Sequence, residues 1–314
     1  MTDPSESRRA ISQNLRVVIA FALVYVFWGS TYLGIRVAVE RVPPILMAGA
    51  RFLAAGVILL AYCALAGRRV AVTREQFRRL AVVGILLLSI ANAVLAWAEL
   101  HVPTGLAALL VSVSPIWFLV IERYLIETGD GVGRAGVAGV GLGALGMVIL
   151  LWPRLSDVGT VGWLEGIAAL SLVGSSFIWA LGSVLERRWR LSLDPLVGAG
   201  WQMTIAGALN VIVGLALGEH RAARWDGAGI AAIAYLIVFG SWVGYSAYIW
   251  LLRHVPTAKV ATHAYVNPIV AVLLGWLLLH ERIDGFMMAG AAVIVPAVAL
   301  VTRAEAAGPH DDPD

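Results

Sequence analysis

The chain has 314 residues, of which 60% are hydrophobic and 14% charged, and its mean hydropathy is +0.84. A soluble domain cannot hide that much apolar surface; soluble chains carry roughly 25% charged residues. The net charge of +3 sits mostly on Arg at helix ends, with no basic face or arm, so a nucleic-acid reader is excluded. The single cysteine, Cys63, excludes an intrachain disulfide.

In chain order, residues 1–16 form a polar start, "MTDPSESRRAISQN" and two residues more. Because a full-length apolar stretch follows, this start is expected to be a cytoplasmic tail and not a cleaved signal peptide. Ten apolar stretches then lie near 17–39, 44–66, 79–98, 103–125, 135–152, 161–185, 196–217, 228–251, 256–279 and 285–302. Each approaches the roughly 20 residues that a membrane-crossing helix needs. A β-barrel would instead show alternating segments of about ten residues, and "AVVGILLLSIANAVLAW" (Ala81–Trp97) does not alternate. The fold class expected is therefore an all-α integral membrane protein with ten transmembrane helices. Residues 303–314 are polar and contain Pro, as a disordered cytoplasmic tail would.

Positive charge orients these spans. With the N-terminus inside, sixteen Arg and Lys fall in inner segments. Six fall in outer ones (Arg36, Arg41, Arg154, Arg221, Arg224 and Arg282), and Arg51 is left within a span. The bias places both termini in the cytoplasm. Most connections are short and leave no room for a soluble catalytic domain.

"HVPT" occurs at His101–Thr104 and again at His254–Thr257. At the same offset of 153, Trp97 falls on Trp250 and Pro115 on Pro268. At an offset of 151, Trp28 falls on Trp179, Pro44 on Pro195, Ala48-Gly49 on Ala199-Gly200 and Ala55-Gly56 on Ala206-Gly207. The chain reads as two copies of a five-helix unit, 17–152 and 161–302. Five is odd, so the second copy must enter the membrane from the opposite side. Inverted repeats of this kind build many secondary transporters and suit alternating access.

Three segments now carry a family resemblance: "FWGSTYLGIRVAVERVPPILMAGARF" (Phe27–Phe52), "AWAELHVPTGLAALLVSVSPIW" (Ala96–Trp117) and "HAYVNPIVAVLLGWLLLHERI" (His263–Ile283). The sequence resembles the ten-helix EamA-type permeases of the drug/metabolite transporter superfamily over residues 17–302. The resemblance implies an inner-membrane carrier or exporter of small metabolites. It also implies a cavity between spans 1–4 and 6–9, with spans 5 and 10 peripheral. Two departures stand out. No Asp or Glu lies in 17–39, so the proton-coupling carboxylate of the small four-helix multidrug relatives does not transfer. The acidic residue closing the fourth-span pattern lies thirteen residues after Pro268 (Glu281) but twelve after Pro115 (Glu127).

Ionisable groups inside spans are costly and become functional candidates. Arg51 lies seven residues past Pro44, about 10 Å of helix rise, and could serve a cavity, a gate or a structural hydrogen bond to carbonyls. Lys259, His263 and Asn267 fall at i, i+4 and i+8, one face of a helix; their counterparts are Leu106, Leu110 and Ser114. Lys259 also reads as an interfacial lysine. His263 titrates near neutral pH or packs as a neutral ring. Asn92 and Glu99 share a face of the third span. Asn92 needs a partner at mid-span, and Glu99 is expected at a solvated outer mouth. Glu99, Lys259 and His263 are the gating or coupling candidates. Glu122 is expected to be interfacial.

Trp152, Trp163 and Trp225 fit an interfacial aromatic belt. Trp28, Trp117, Trp179 and Trp242 fall nearer mid-span. With Tyr245 and Tyr265 they could line a cavity for aromatic or cationic solutes, or simply pack. Gly139 and Gly143 form a GxxxG packing face. Pro115 and Pro268 each remove a helix hydrogen bond and could act as paired hinges.

The function expected is a secondary transporter, an exporter, of small organic metabolites such as amino acids, working without a cofactor and possessing no enzymatic activity. Partners expected are a small solute, protons and the lipid bilayer. Competing classes are an intramembrane enzyme and a channel or scaffold. No HExxH, GxSG or Walker motif supports the first. A channel would show filter loops or rings of pore-lining charge.

Overall fold

In a computed structural model, the backbone is described for residues 4–125, 138–139, 141–146, 148–149, 152, 162–189, 191–255 and 257–306. Side chains of 4–13, 122–125, 257–258, 265, 298 and 301–306 are outside the description. Among the described residues every regular element is helical. We label α1 as 4–39, α2 as Pro44–Leu65, α3 as Arg74–Ala98, α4 as 104–125 and α5 as Trp163–Trp189. The remaining helices are α6 (Pro195–Ala216), α7 (Gly227–His254), α8 (257–279) and α9 (Gly285–Ala306). Seven helices among them are long and apolar enough to cross a membrane, α1 to α7. Val266–Leu279 and Gly285–Ala297 are shorter apolar segments. The fifth expected span, 135–152, lies largely outside the described residues.

Helix ends follow local chemistry that recurs between the two halves. Pro44 and Pro195 open α2 and α6, where a missing N–H costs nothing. Gly67 (φ 71°) and Gly218 (φ 78°), 151 residues apart, follow their C-termini in the left-handed conformation that favours glycine. Thr73 and Asp226, 153 residues apart, cap α3 and α7. The Gln76 amide N–H donates to Thr73 Oγ1 (3.2 Å), and the Gly229 N–H donates to Asp226 Oδ1 (2.8 Å).

Three helices contain wide π-type turns, at Val24–Trp28, Ile85–Ala91 and Leu236–Tyr245. The last two occupy equivalent places in the two halves. Such turns displace side chains and free carbonyls, and they concentrate at functional sites.

α2 and α6 cross at the centre. Gly49 and Gly56 of α2 meet α6, while Gly200 and Gly207 of α6 meet α2. A Cβ on Gly49 would stand 2.7 Å from the Val211 backbone nitrogen, so the contact admits only glycine. The Gly143 of the GxxxG pair also packs closely, against Ile116, and Gly146 meets Ile294.

Call the end where α1 starts and α5 finishes the near end, and the opposite one the far end. Two clamps tie the central pair down. At the far end Glu219 accepts the Ile45 and Leu46 N–H groups (3.4 and 2.6 Å). At the near end Arg68, the position equivalent to Glu219, pairs with Asp194, which itself caps α6 by accepting the Leu196 N–H (2.8 Å). A further far-end clamp uses Glu281. Its carboxylate accepts the Thr104 N–H (2.9 Å), the Thr104 hydroxyl (2.7 Å) and the Gly105 N–H (3.3 Å). It thus caps α4 with a charge that favours the helix dipole.

Two expectations change here. α4 is interrupted at Ser112–Val113 and α8 at Ala261–Thr262. Pro115 has no N–H for the Val111 carbonyl; the Ser114 hydroxyl donates to that carbonyl instead (2.6 Å), and the helix restarts at Ser114. Pro268 by contrast sits inside the continuous segment His263–Leu279. The break in α8 separates Lys259 from His263 and Asn267, so the three do not share one helix face. Lys259 is exposed on the short turn Thr257–Val260.

Candidate functional site

A cavity with about 790 Å³ of empty space, part of it open to solvent, lies within the bundle. Its walls come from α1 to α5, α7 and α8. Trp28, Arg51, Asn92, Trp179, Tyr245, His263, Asn267 and Pro268, all candidates from the sequence, line it together.

Arg51 is 5% exposed. Its Nε donates to Ser241 Oγ (3.0 Å), and its guanidinium carbon lies 4.6 Å from the Phe52 ring centroid. Gly240, in the wide turn of α7, makes this placement possible. A Cβ there would stand 2.6 Å from Arg51 Nη2. The same glycine's carbonyl accepts the Trp28 Nε1–H (3.1 Å).

At the near end of the cavity the rings of Trp28, Trp179, Tyr248 and His263 form a floor, with centroid separations of 4.7 to 5.7 Å and mostly edge-on or tilted geometry. The Trp179 Nε1–H donates to the Tyr248 hydroxyl (3.0 Å), which also pairs with Ser183 (2.7 Å). His263 Nδ1 lies 2.8 Å from the Val260 carbonyl. A carbonyl only accepts, so Nδ1 carries the proton.

Behind the floor is a buried polar network that sequence reading missed. Gln202 Nε2 donates to Glu186 Oε2 (2.7 Å), and the Tyr245 hydroxyl donates to Gln202 Oε1 (2.7 Å). Arg253 donates through Nε and Nη2 to Glu186 Oε1 (3.1 and 2.8 Å) and through Nη1 to the Leu193 carbonyl (2.8 Å). Glu186 falls one residue past the expected sixth span, 161–185. Gln202 did carry a signal, because it is the offset-151 counterpart of Arg51.

Other candidates fall elsewhere. Trp117 donates to Ser176 Oγ (3.0 Å) and stacks edge-on with Phe177, while Trp242 donates to the Ala55 carbonyl (2.8 Å); neither lines the described cavity. Asn92 Nδ2 donates to the Leu87 carbonyl (2.9 Å) in the wide turn of α3, yet the residue remains on the cavity wall. Glu99 is not solvated at a mouth. It is 0% exposed, neither carboxylate oxygen has a hydrogen-bond partner among the described residues, and its backbone carbonyl accepts from Arg36. The side chains of Tyr265 and Glu122 lie outside the described residues. Trp152, Trp163 and Trp225 are exposed at helix ends, as a belt requires. A cavity for cationic solutes loses support for an electrostatic reason: among the described residues its lining holds no Asp or Glu, and the formally charged side chain in it is Arg51.

Membrane-length helices packed around a largely apolar cavity with a few polar groups define a polytopic membrane protein with a central cavity. Comparison with known proteins gives its kind. Residues 15–152 and 166–303 each match the EamA-like transporter family, so the chain belongs to that family of transporters. It is 38% identical to the "Uncharacterized inner membrane transporter YedA" of Escherichia coli (strain K12), over 90% of this chain and 89% of that one. It is 26% identical to a "Probable amino-acid metabolite efflux pump" of the same organism, over 87% and 90%. A solved crystal structure 21% identical in sequence shares the fold with a TM-score of 0.66, covering 92% of this chain and 97% of that one.

Proposed function

We propose that the protein is a secondary transporter of the cytoplasmic membrane, exporting small organic metabolites such as amino acids or related amphiphilic compounds. Its ten spans would form two inverted five-helix units, 17–152 and 161–302, with both termini cytoplasmic. The inner-membrane location and the export direction draw on the names of the similar proteins.

The observation carrying this reading is a difference between equivalent positions at the two ends of the cavity. Tyr32, Ile35, Leu95 and Ala108 line its far part. Their counterparts at offsets 151 and 153, Ser183, Glu186, Tyr248 and Ala261, are packed at the near end and do not line the cavity. Two similar halves holding different arrangements are what alternating access requires. Exchange of the two arrangements would open the near end and close the far one. Glu99 and His263 are the candidates for proton coupling, since both are buried ionisable groups.

The test is uptake and counterflow in proteoliposomes, with and without an imposed pH gradient, across a panel of amino acids and amphiphilic metabolites. Solute-specific accumulation is expected. Absence of movement for every solute, with folded protein in the vesicles, would reject the reading.

A further inference from the structure

We infer that the cavity selects solutes that carry a carboxylate, which Arg51 receives on its two terminal Nη groups. The inference rests on reading the cavity as the transport site. Three observations on Arg51 support it.

First, the guanidinium is only partly used. Its Nε is taken by Ser241, but among the described residues Nη1 and Nη2 have no hydrogen-bond partner and no carboxylate lies within ion-pairing distance. A guanidinium offers a planar fork of donors that matches a carboxylate in two parallel bonds. Glu186 and Arg253 provide the contrast: that second buried guanidinium is fully paired.

Second, the fold does not need the charge. The equivalent position in the other half is Gln202, which is neutral, 0% exposed, and engaged by Glu186 and Tyr245. Both residues sit on one of the two central crossing helices. A positive charge retained at only one of two equivalent sites, and that one on the cavity wall, needs a reason other than packing. Burying an unpaired cation is costly, and a bound anion removes that cost.

Third, the rest of the wall sets the remainder of the solute. Around Arg51 stand Phe52, Leu88, Trp28 and Tyr245, which offer apolar and aromatic surface. With no Asp or Glu among the described lining residues, an ammonium group finds no counter-ion from them. The favoured class is a small monoanion with an apolar body.

The test uses three probes of one shape and different charge: phenylacetate, phenylacetamide and phenethylammonium. Binding to the purified full chain in detergent is followed by calorimetry and by quenching of tryptophan fluorescence, since Trp28 and Trp179 line the site. Phenylacetate is expected to bind at least tenfold more tightly than the amide, and the ammonium most weakly. Arg51→Gln, which copies the natural residue of the equivalent position, should abolish the preference for the acid. Arg51→Lys keeps the charge without the fork and should retain a reduced preference. Equal binding of the three probes, no binding of the acid, or an unchanged preference in Arg51→Gln would overturn the inference. Should Arg51→Gln fail to fold, the wild-type series and Arg51→Lys still decide. Counterflow separates the two readings. Acids that bind but are not moved leave the inference standing and reject transport through this site. Amides or ammonium compounds that are moved in preference to acids do the reverse.

Discussion

Arg253→Met should be among the most destabilising single changes in the bundle. The guanidinium makes three donated bonds, two to Glu186 Oε1 and one to the Leu193 carbonyl. Its side chain is 12% exposed and that of Glu186 is 2% exposed. Removal leaves the Glu186 carboxylate buried with Gln202 as its only remaining donor among the described residues. Breaking a buried pair from one side costs about 3–5 kcal/mol, because the surviving charge stays uncompensated. An exposed pair contributes only about 0–1 kcal/mol, so Arg79→Met, which loses the Glu75 pair (side chains 35% and 48% exposed), is the control. Unfolding of the purified protein in detergent would be measured for Arg253→Met, for Glu186→Gln and for the two together. The double variant leaves no charge at this pair and should recover most of the loss, giving a coupling energy of at least about 2 kcal/mol in the cycle. The reasoning is refuted if Arg253→Met unfolds within about 1 kcal/mol of the parent, no further than Arg79→Met, or if the two single effects simply add.

Three further outcomes follow from the packing and the proposed topology. Gly56→Val should prevent stable folding, since even a Cβ meets the Thr204 backbone. Gly174→Ala, with nothing within 4 Å, should leave stability unchanged or raise it by about 0.5–1 kcal/mol; thermal unfolding and expression of both variants check this. Reporter fusions at residue 310 should behave as cytoplasmic and fusions in 153–160 as external; a periplasmic C-terminus would remove the inverted ten-span arrangement. His263→Gln keeps a polar side chain but removes a titrating one, so the transport–pH profile should shift; an identical profile at equal expression would leave His263 as a packing residue of the aromatic floor.

The sequence by itself determined the membrane class, the all-helical character and the two-copy plan. Each of these rests on local or periodic information. Long apolar runs, Pro44 and Pro195 at helix starts, Gly67 and Gly218 after helix ends, and "HVPT" at a fixed offset are all readable without knowing what touches what. It also identified Arg51, Asn92, His263 and Asn267, because a polar group within an apolar run is conspicuous whatever it contacts. Tertiary structure alone decided what each polar group does. Glu99 read as a solvated end, yet the crossing of α1 over the end of α3 buries it completely. Glu186 falls just past the expected sixth span, yet α6 and α7 close over it and supply Gln202 and Arg253. Trp28 and Trp117 looked alike in sequence. The wide turn of α7 offers Trp28 a carbonyl beside the cavity, while Trp117 turns to Ser176 and away from it. Lys259 lost its place beside His263 because the backbone breaks at Ala261–Thr262, and no periodicity rule registers a break. Burial and pairing depend on which helices meet and at what register, and those contacts join residues from 16 to 212 positions apart.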